Sequence, residues 1–96
     1  MSLLCILVTY IYRGCYKETT VRALPQFIAT YTGPDAIDKC YNAAKQRGYK
    51  VFGFISGVEC WSGLQAHTTY SIHGPSNGCK DGRGGTWAHD VYFVSK

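Results

Sequence analysis

Cysteine and histidine are the residue types in this sequence that could support catalysis or hold a metal. The chain has five cysteines and three histidines among its 96 residues. A structural zinc site normally takes its ligands in close pairs such as Cys-x2-Cys or His-x3-His. No two of these residues are that close in the sequence. The spacing therefore predicts no metal site, and no other cofactor is indicated.

A catalytic cysteine needs a thiolate with a histidine and an orienting group within reach. Four cysteines lie at wide intervals, which in so short a chain indicates two disulfides and an oxidising compartment. They are Cys15, Cys40, Cys60 and Cys79. The fifth, Cys5, lies in an apolar run, and the six acidic residues are too scattered for the carboxyl pair that glycoside hydrolysis requires. We therefore predict that the protein is not an enzyme.

Length and charge limit the remaining classes of protein. A chain of this length makes one domain and buries only about 60 to 65% of its unfolded surface, so its core needs covalent support. The formal net charge of +4 comes from ten lysines and arginines distributed along the chain. A nucleic-acid binder of this size would cluster its cations on one element. We therefore predict no nucleic-acid partner.

The N-terminal stretch of twelve apolar residues, MSLLCILVTYIY, has two interpretations. It is too short to span a bilayer as a helix, and no basic residue or small-x-small cleavage site accompanies it. It is either a degenerate or truncated signal segment or, in its second half, the first strand, because Val8, Tyr10 and Tyr12 alternate with other residues. We divide the chain into this segment, residues 1–11, and a domain at 12–96.

One later segment carries the start and stop signals of a helix. Pro34 suits the first turn after a cap at Thr32 or Gly33, and Gly48 supplies the stop. Between them, residues that favour burial follow the i, i+3, i+4, i+7 spacing of one helix face. They are Ile37, Cys40, Tyr41 and Ala44. The pattern predicts that this helix turns a cysteine inward.

The rest of the chain predicts short strands and loops. Strands are expected at 49–55 and 58–61 around a tight turn, and a buried final strand is expected from Trp87 to the apolar residues that follow it. Between these, a segment rich in Gly, Ser, Thr and Asn should be mostly loop, with a short strand near 68–72. Near the N-terminus, the sequence is strand-like at Cys15 and then turns polar. The predicted fold is α+β, with one helix packed on a small antiparallel sheet.

Five short sequences in a fixed order resemble a known family. They are GCY at 14–16, RAL at 22–24, a cysteine-bearing helix leading into GYKVFGF, ECWSG at 59–63, and GGTWAHDVYFV near the end. In this order they resemble the WSC domain, a small module of cell-wall sensors, receptor ectodomains and secreted carbohydrate-active proteins. The resemblance covers about residues 12–94 and implies a disulfide-stapled, PAN/apple-like architecture.

The cysteines depart from the family pattern, in which two parallel bridges usually join the helix to a Cys-x-Cys strand. The resemblance implies the pairs Cys40–Cys60 and Cys15–Cys79. The second parallel bridge would need positions four residues along the helix and two along the strand. Those positions are Ala44 and Ser62, and the family's Cys-Gly-Gly is Arg83-Gly84-Gly85. The sequence is thus interpreted as a reduced, two-disulfide version in which Ser62 stands where a cystine was lost.

The resemblance also implies a function, namely a secreted or ectodomain module that binds a polysaccharide or a glycoprotein glycan without catalysis. Sugar recognition uses flat aromatic faces with hydrogen-bonding side chains nearby. Tyr70, in a polar segment, is expected to be the most exposed ring, whereas tryptophans in these positions are more typical of a core. The alternative is a structural or protein-interaction spacer that binds extracellular matrix proteins. The candidate ligand-binding residues are Tyr70, Trp61, Trp87, His89, Asn77, Lys80 and Asp81.

Overall fold

The computed structural model describes residues 10–95, which form one five-stranded antiparallel sheet with one main helix. The elements are β1 (Tyr10–Lys17), β2 (Gln26–Thr30), α1 (Ala36–Gln46), β3 (Val51–Ile55), β4 (Glu59–Ser62), α2 (Ala66–Thr69) and β5 (Ala88–Val94). The strand order is β1-β5-β3-β4-β2, and every neighbouring pair is antiparallel. The predicted α+β class is confirmed.

The first strand begins inside the N-terminal apolar stretch. β1 starts at Tyr10 and pairs with β5, so the stretch contributes at least its last residues to the sheet. Residues 1–9, which include Val8 and Cys5, lie outside the described residues. Among residues 10–95, none of the helices has both the length and the apolar character needed to cross a membrane.

Helix α1 begins later than the sequence indicated. Pro34 lies in the preceding turn, and Asp35 takes the N-cap position without a side-chain hydrogen bond. The helix ends before Gly48, whose φ of +76° places it in the left-handed region that terminates helices. Its buried residues are Ala36, Cys40, Tyr41 and Ala44. Ala36 joins the predicted stripe because it lies one turn before Cys40 on the same face, and Ile37 is partly buried and packs against the same cluster.

Strand β3 is buried on both faces, which explains its continuous apolar sequence. On one face, Phe52 and Phe54 pack in a cluster with α1 and the Cys40–Cys60 disulfide. On the other face, Val51 packs with Leu24 and with residues of α2 and β5. The sheet is therefore covered by α1 on one side and by the loop between β1 and β2, together with α2, on the other.

Two predictions about strands were wrong. Strand β2 was missed, because an edge strand is only half covered and its sequence lacks a clear alternation; Phe27 is exposed. The strand expected near 68–72 is the single-turn helix α2 followed by turns. Its buried Ala66 faces the core, and Thr69 Oγ1 donates a hydrogen bond to the carbonyl of Ala23 at 2.6 Å. That tertiary contact fixes a helical turn where propensity alone is indecisive.

Both expected disulfides are present. Cys15–Cys79 joins β1 to the loop before β5, and Cys40–Cys60 joins α1 to β4. Ala44 and Ser62 are fully buried. The Ser62 hydroxyl donates a hydrogen bond to the Val51 carbonyl, so this buried polar group is satisfied.

Candidate functional site

The loop between β1 and β2 is built around the buried carboxylate of Glu18, which is 4% exposed. The carboxylate accepts hydrogen bonds from the backbone N–H groups of Thr19 at 3.0 Å, Ala23 at 2.7 Å and Leu24 at 3.2 Å. His89 Nδ1 lies 3.6 Å from the second carboxylate oxygen. The loop is therefore fixed from inside by one acidic side chain.

Two effects oppose each other at Glu18. Burial would raise the pKa of this carboxyl, since it disfavours the charged form. The nearby His89 ring and the hydrogen bonds from the three backbone amides stabilise the charged form and hold the pKa of Glu18 below its usual value. Glu18 therefore remains a carboxylate at neutral pH and keeps its acceptor role.

The loop places Arg22 against two tryptophans. Its guanidinium carbon lies 4.3 Å from the centre of the Trp61 ring and 5.1 Å from that of Trp87. A guanidinium over an indole face is attracted by the ring quadrupole. We call Trp61, Arg22 and Trp87 the Trp–Arg–Trp stack, since the three side chains form one surface feature.

Trp61 is the inner member of the stack. It lies on β4, is partly buried, and its Nε1 donates a hydrogen bond to Glu59 Oε1 at 3.0 Å. The Phe27 ring contacts it edge-on at 5.3 Å between centroids. Because its edge and one side are already occupied, Trp61 serves as a support for Arg22.

Trp87 is the outer member and is 48% exposed. Its φ of +53° lies in the left-handed region, where a bulky residue costs about 1 to 3 kcal/mol. It occupies a tight turn closed by Gly85 and Ala88, which exchange backbone hydrogen bonds of 2.9 and 3.2 Å. Its carbonyl accepts the Glu18 amide at 2.9 Å. Backbone strain of this kind concentrates at functional sites, where surrounding contacts maintain it.

The stack opens into a surface cleft of about 270 Å³, the tryptophan cleft. Its lining combines two members of the stack, Arg22 and Trp87, with hydroxyl and carboxylate groups. It is lined by Arg22, Ile55, Ser56, Glu59, Thr86 and Trp87. Ser56 and Thr86 also line a larger open cleft of about 530 Å³, the glycine-loop cleft, which carries Lys80, Asp81 and Arg83. The two clefts therefore adjoin and form one elongated depression.

The glycine-loop cleft is shaped by backbone that only glycine allows. Gly84 has φ +72°, and a Cβ there would lie 2.1 Å from the Phe54 carbonyl oxygen. Asp90 fixes this loop, because its carboxylate accepts the Gly84 amide at 2.9 Å and the Tyr12 hydroxyl at 2.6 Å. Burial and this hydrogen bond to Asp90 raise the pKa of Tyr12 to about 12.

Positive φ marks both clefts. Among residues 10–95, three residues other than glycine have positive φ, namely Ser56, Asp81 and Trp87. Each of them lines one or both of the adjoining clefts. The strained backbone is thus concentrated at this depression.

The structure brings some predicted ligand-binding residues together and separates others. Trp61 and Trp87 meet in the stack, whereas Lys80 and Asp81 lie in the adjoining cleft. Asn77 lies with these last two in a further cleft of about 190 Å³. The remaining two predicted residues, Tyr70 and His89, are placed elsewhere.

Tyr70 is not the most exposed ring, which corrects the expectation from its polar segment. It packs edge-on against Tyr16 and Phe93 at 5.0 and 5.4 Å and is only partly exposed. His89 is 1% exposed and faces Glu18 with one nitrogen and the Tyr70 carbonyl with the other. His89 lies on β5 and Tyr70 directly follows α2, and the side chains of both are engaged in contacts within the fold.

Four further residues of the cleft are not predicted as ligand contacts by the sequence. Arg22, Glu59 and Thr86 stand in the family matches, and Ser56 belongs to the predicted tight turn. They come from four separate loops and strands, so no local pattern connects them. The left-handed turn at Trp87 carries no sequence signal either, because glycine or asparagine is usual there.

One group of described residues has metal-ligand atoms close together. The ligand atoms of Cys15, Cys79 and Asp90 lie within 4.8 Å of one another. The two sulfurs are bonded to each other, and the Asp90 carboxylate is already hydrogen-bonded to Tyr12 and Gly84. This group therefore serves the fold and does not fit a metal ion.

A disulfide-stapled α+β domain with an exposed aromatic cleft is typical of small extracellular binding modules. The family model for the WSC domain matches residues 12–84, more than half of the chain, and the chain belongs to this family. None of the curated proteins matches it. WSC is a family of binding modules and not of enzymes, which suggests an extracellular, carbohydrate-binding type of module. The two disulfides fit an extracellular domain.

Proposed function

We propose that this domain is a non-enzymatic extracellular module that binds a cell-wall or cell-surface glycan along the tryptophan cleft. The observation that carries the proposal is Trp87, an exposed indole maintained in a strained turn beside Arg22. Sugars present apolar C–H faces that pack on aromatic rings, and their hydroxyls need hydrogen-bonding groups nearby. Ser56 and Thr86 supply hydroxyls in the same cleft.

The shape of the site favours a saccharide chain over a small compact ligand. Small-molecule sites are usually enclosed concavities that bury most of their ligand. Here two open clefts share Ser56 and Thr86, and the second one presents Lys80 and Asp81. A first sugar would pack on Trp87, and neighbouring sugars of the same chain would reach the glycine-loop cleft.

The residues of the proposed site have different roles. Trp87 is the aromatic surface on which a sugar packs, and Trp61 supports Arg22 through its ring. Tyr70 and His89 act indirectly, because His89 contacts Glu18 and Glu18 fixes the loop that carries Arg22. A Tyr70→Ala change would remove core packing, and it is therefore a poor test of ligand contact.

The experiment that tests this function is a screen on an array of cell-wall and cell-surface oligosaccharides, followed by calorimetric titration of the strongest ligand. Trp87→Gly should lower its affinity at least about tenfold, which corresponds to about 1.4 kcal/mol. The melting temperature should stay within a few degrees, since glycine tolerates the φ of +53° without strain. Trp87→Phe should retain most of the binding, because it keeps a flat ring.

Leu64→Ala is the matched control, because it removes an exposed apolar side chain that lies outside the clefts. It should change neither binding nor stability. A wild-type domain that binds no glycan on the array but captures an extracellular matrix protein would contradict the proposal. That result would support the alternative of a protein-interaction spacer.

A further inference from the structure

Arg22 has hydrogen-bond donors that the protein does not use. A guanidinium carries five N–H donors in one plane. No residue within 10–95 accepts a hydrogen bond from Arg22 or forms an ion pair with it. Its side chain is half-buried and lines the tryptophan cleft. The cleft therefore contains a positive charge whose contacts within the described chain are to aromatic rings alone.

The two tryptophans decide how Arg22 can be approached. The centres of the Trp61 and Trp87 rings lie 4.3 and 5.1 Å from the guanidinium carbon, so two bulky rings crowd the group. The N–H donors of a guanidinium lie in its plane, so a ligand that pairs with Arg22 would meet the edge of the group. A planar guanidinium edge matches the two oxygens of a carboxylate in a bidentate pair.

We propose that the domain selects acidic glycans, and that Arg22 binds the carboxylate of a uronic acid unit in the tryptophan cleft. This inference rests on the proposed function, because it assigns a substrate class to the same site. The sugar ring that carries the carboxylate, or its neighbour, packs on Trp87. Ser56 and Thr86 lie close enough in the cleft to bind its hydroxyls.

A single carboxylate fits this cleft better than a densely sulfated chain. Glu59 lines the same cleft and adds a negative charge, so the field there is not uniformly positive. A binder of polyanions uses a cluster of cations and shows a steep dependence on salt. One unpaired arginine beside one glutamate instead predicts recognition of one carboxylate at a fixed position.

The test compares two probes that differ only in the carboxyl group. A β-1,4-linked glucuronic acid tetrasaccharide and its carboxyl-reduced form, cellotetraose, are titrated into the intact domain. An oligogalacturonide tetrasaccharide and its reduced form serve as a second pair. In at least one pair, the acid should bind at least tenfold more tightly than its neutral counterpart. The logarithm of its affinity should fall with the logarithm of salt concentration with a slope of about one, as for one ion pair.

Variants of Arg22 separate charge from shape. Arg22→Gln should abolish the preference for the acid, and Arg22→Lys should lose most of it, because lysine keeps the charge but not the planar pair of donors. Arg13→Gln is the matched control. Arg13 also lies over an aromatic ring, Phe93, at 4.9 Å, but on β1 at the far edge of the sheet from β2 and β4. It should leave the preference unchanged.

Glu59→Gln gives a test in the opposite direction. Glutamine can still accept the Trp61 Nε1–H hydrogen bond but removes the negative charge from the cleft. The affinity for the acid should rise severalfold, and the affinity for the neutral sugar should not change. If Glu59 had a structural role alone, the substitution would change the affinities for the acid and for the neutral sugar equally.

Equal binding of acid and neutral probes, or tighter binding of a sulfated sugar, would overturn the inference and leave the proposed function intact. A salt slope of several units would also overturn it, since that indicates non-specific capture of a polyanion. The inference would also be overturned if neither the acid nor the neutral sugar of either pair binds to the domain. If the glycan array is then also negative, the proposed function fails with it.

Discussion

Glu18 is the residue on which the shape of the site depends most directly. It lies in no predicted element, yet its buried carboxylate closes the loop that presents Arg22. Its backbone amide also binds the Trp87 carbonyl. The Glu18 side chain therefore fixes the loop that carries Arg22, and its backbone amide holds the turn that carries Trp87.

We predict that Glu18→Gln lowers the free energy of unfolding by about 3 kcal/mol at pH 7. The glutamine side chain places an N–H₂ donor among backbone N–H donors. It also removes the negative charge of Glu18 from the contact with His89. Urea denaturation measures the change. Glu59→Gln, which alters a more exposed carboxylate, should cost less than about 1 kcal/mol.

The lowered pKa of Glu18 also predicts how the stability of the domain depends on pH. The pKa of Glu18 is lower in the folded than in the unfolded state, so its contribution is complete above the unfolded pKa of about 4.3 and is lost as pH falls. The stability difference between wild type and Glu18→Gln should therefore shrink as the pH is lowered from 5 to 2. A difference that stays constant over this range would contradict the assignment.

Gly53 supports the opposite end of the same loop. A Cβ at this position would lie 2.7 Å from Leu24 Cδ2, and Leu24 is fully buried and cannot move outward. We predict that Gly53→Ala costs about 1 to 3 kcal/mol through overpacking. Leu24→Val, which removes the clashing atom, should recover part of the loss in a double-mutant cycle. Additive effects of the two changes would contradict this explanation.

At the scale of elements, the seam between α1 and β4 carries one disulfide where the family usually has two. Cys40 and Ala44 are four residues apart on the helix, and Cys60 and Ser62 are two apart on the strand. All four are fully buried. This is the sequence spacing that a second bridge between Ala44 and Ser62 would need, and we interpret their methyl group and hydrogen-bonded hydroxyl as standing in its place.

We predict that Ala44→Cys with Ser62→Cys forms a disulfide without added catalyst and raises the stability by about 2 to 4 kcal/mol. Their Cβ atoms should lie about 3.5 to 5.5 Å apart, near the range that a disulfide spans. Thermal melts with and without reductant measure the gain. Each single change should give no gain, and a double variant whose thiols stay free in air would contradict the interpretation of Ser62.

At the scale of the whole molecule, the two disulfides compensate for a small core. The closed segments differ in length, with sequence separations of 64 for Cys15–Cys79 and 20 for Cys40–Cys60. Loop-closure entropy assigns them about 3 to 4.5 kcal/mol each. A domain of this size has a net stability of roughly 5 to 10 kcal/mol, so either bridge is a large fraction of the total.

We predict that Cys15→Ala with Cys79→Ala brings the melting midpoint close to physiological temperature. Cys40→Ala with Cys60→Ala should be at least as damaging, because it also leaves a cavity in the core beside Phe52 and Phe54. Circular dichroism melts of both variants check this. A loss below about 1 kcal/mol in either variant would contradict a central role for the bridges.

Local sequence patterns are sufficient to predict the fold class and its covalent support. Helix α1, strands β3 to β5 and the inward cysteine follow from periodicity and from glycine and proline signals, which act between near neighbours. The cysteine pairs and the family follow from the order of short matches along the chain, and residues 12–84 confirm that family. These features depend on residue types and on their order along the chain, so they can be predicted without the tertiary structure.

Only tertiary contacts bring the residues of the site together. Edge strand β2 and the turn helix α2 exist because neighbouring elements pair with them or bury them. Arg22 meets Trp61 and Trp87 because the contacts of Glu18 and His89 hold the loop inward, and these five residues come from three separate stretches of the chain. The exposure of Trp87 also depends on a left-handed turn that its own sequence disfavours. Long-range contacts outweigh that local preference, and a local sequence pattern contains no information about such contacts.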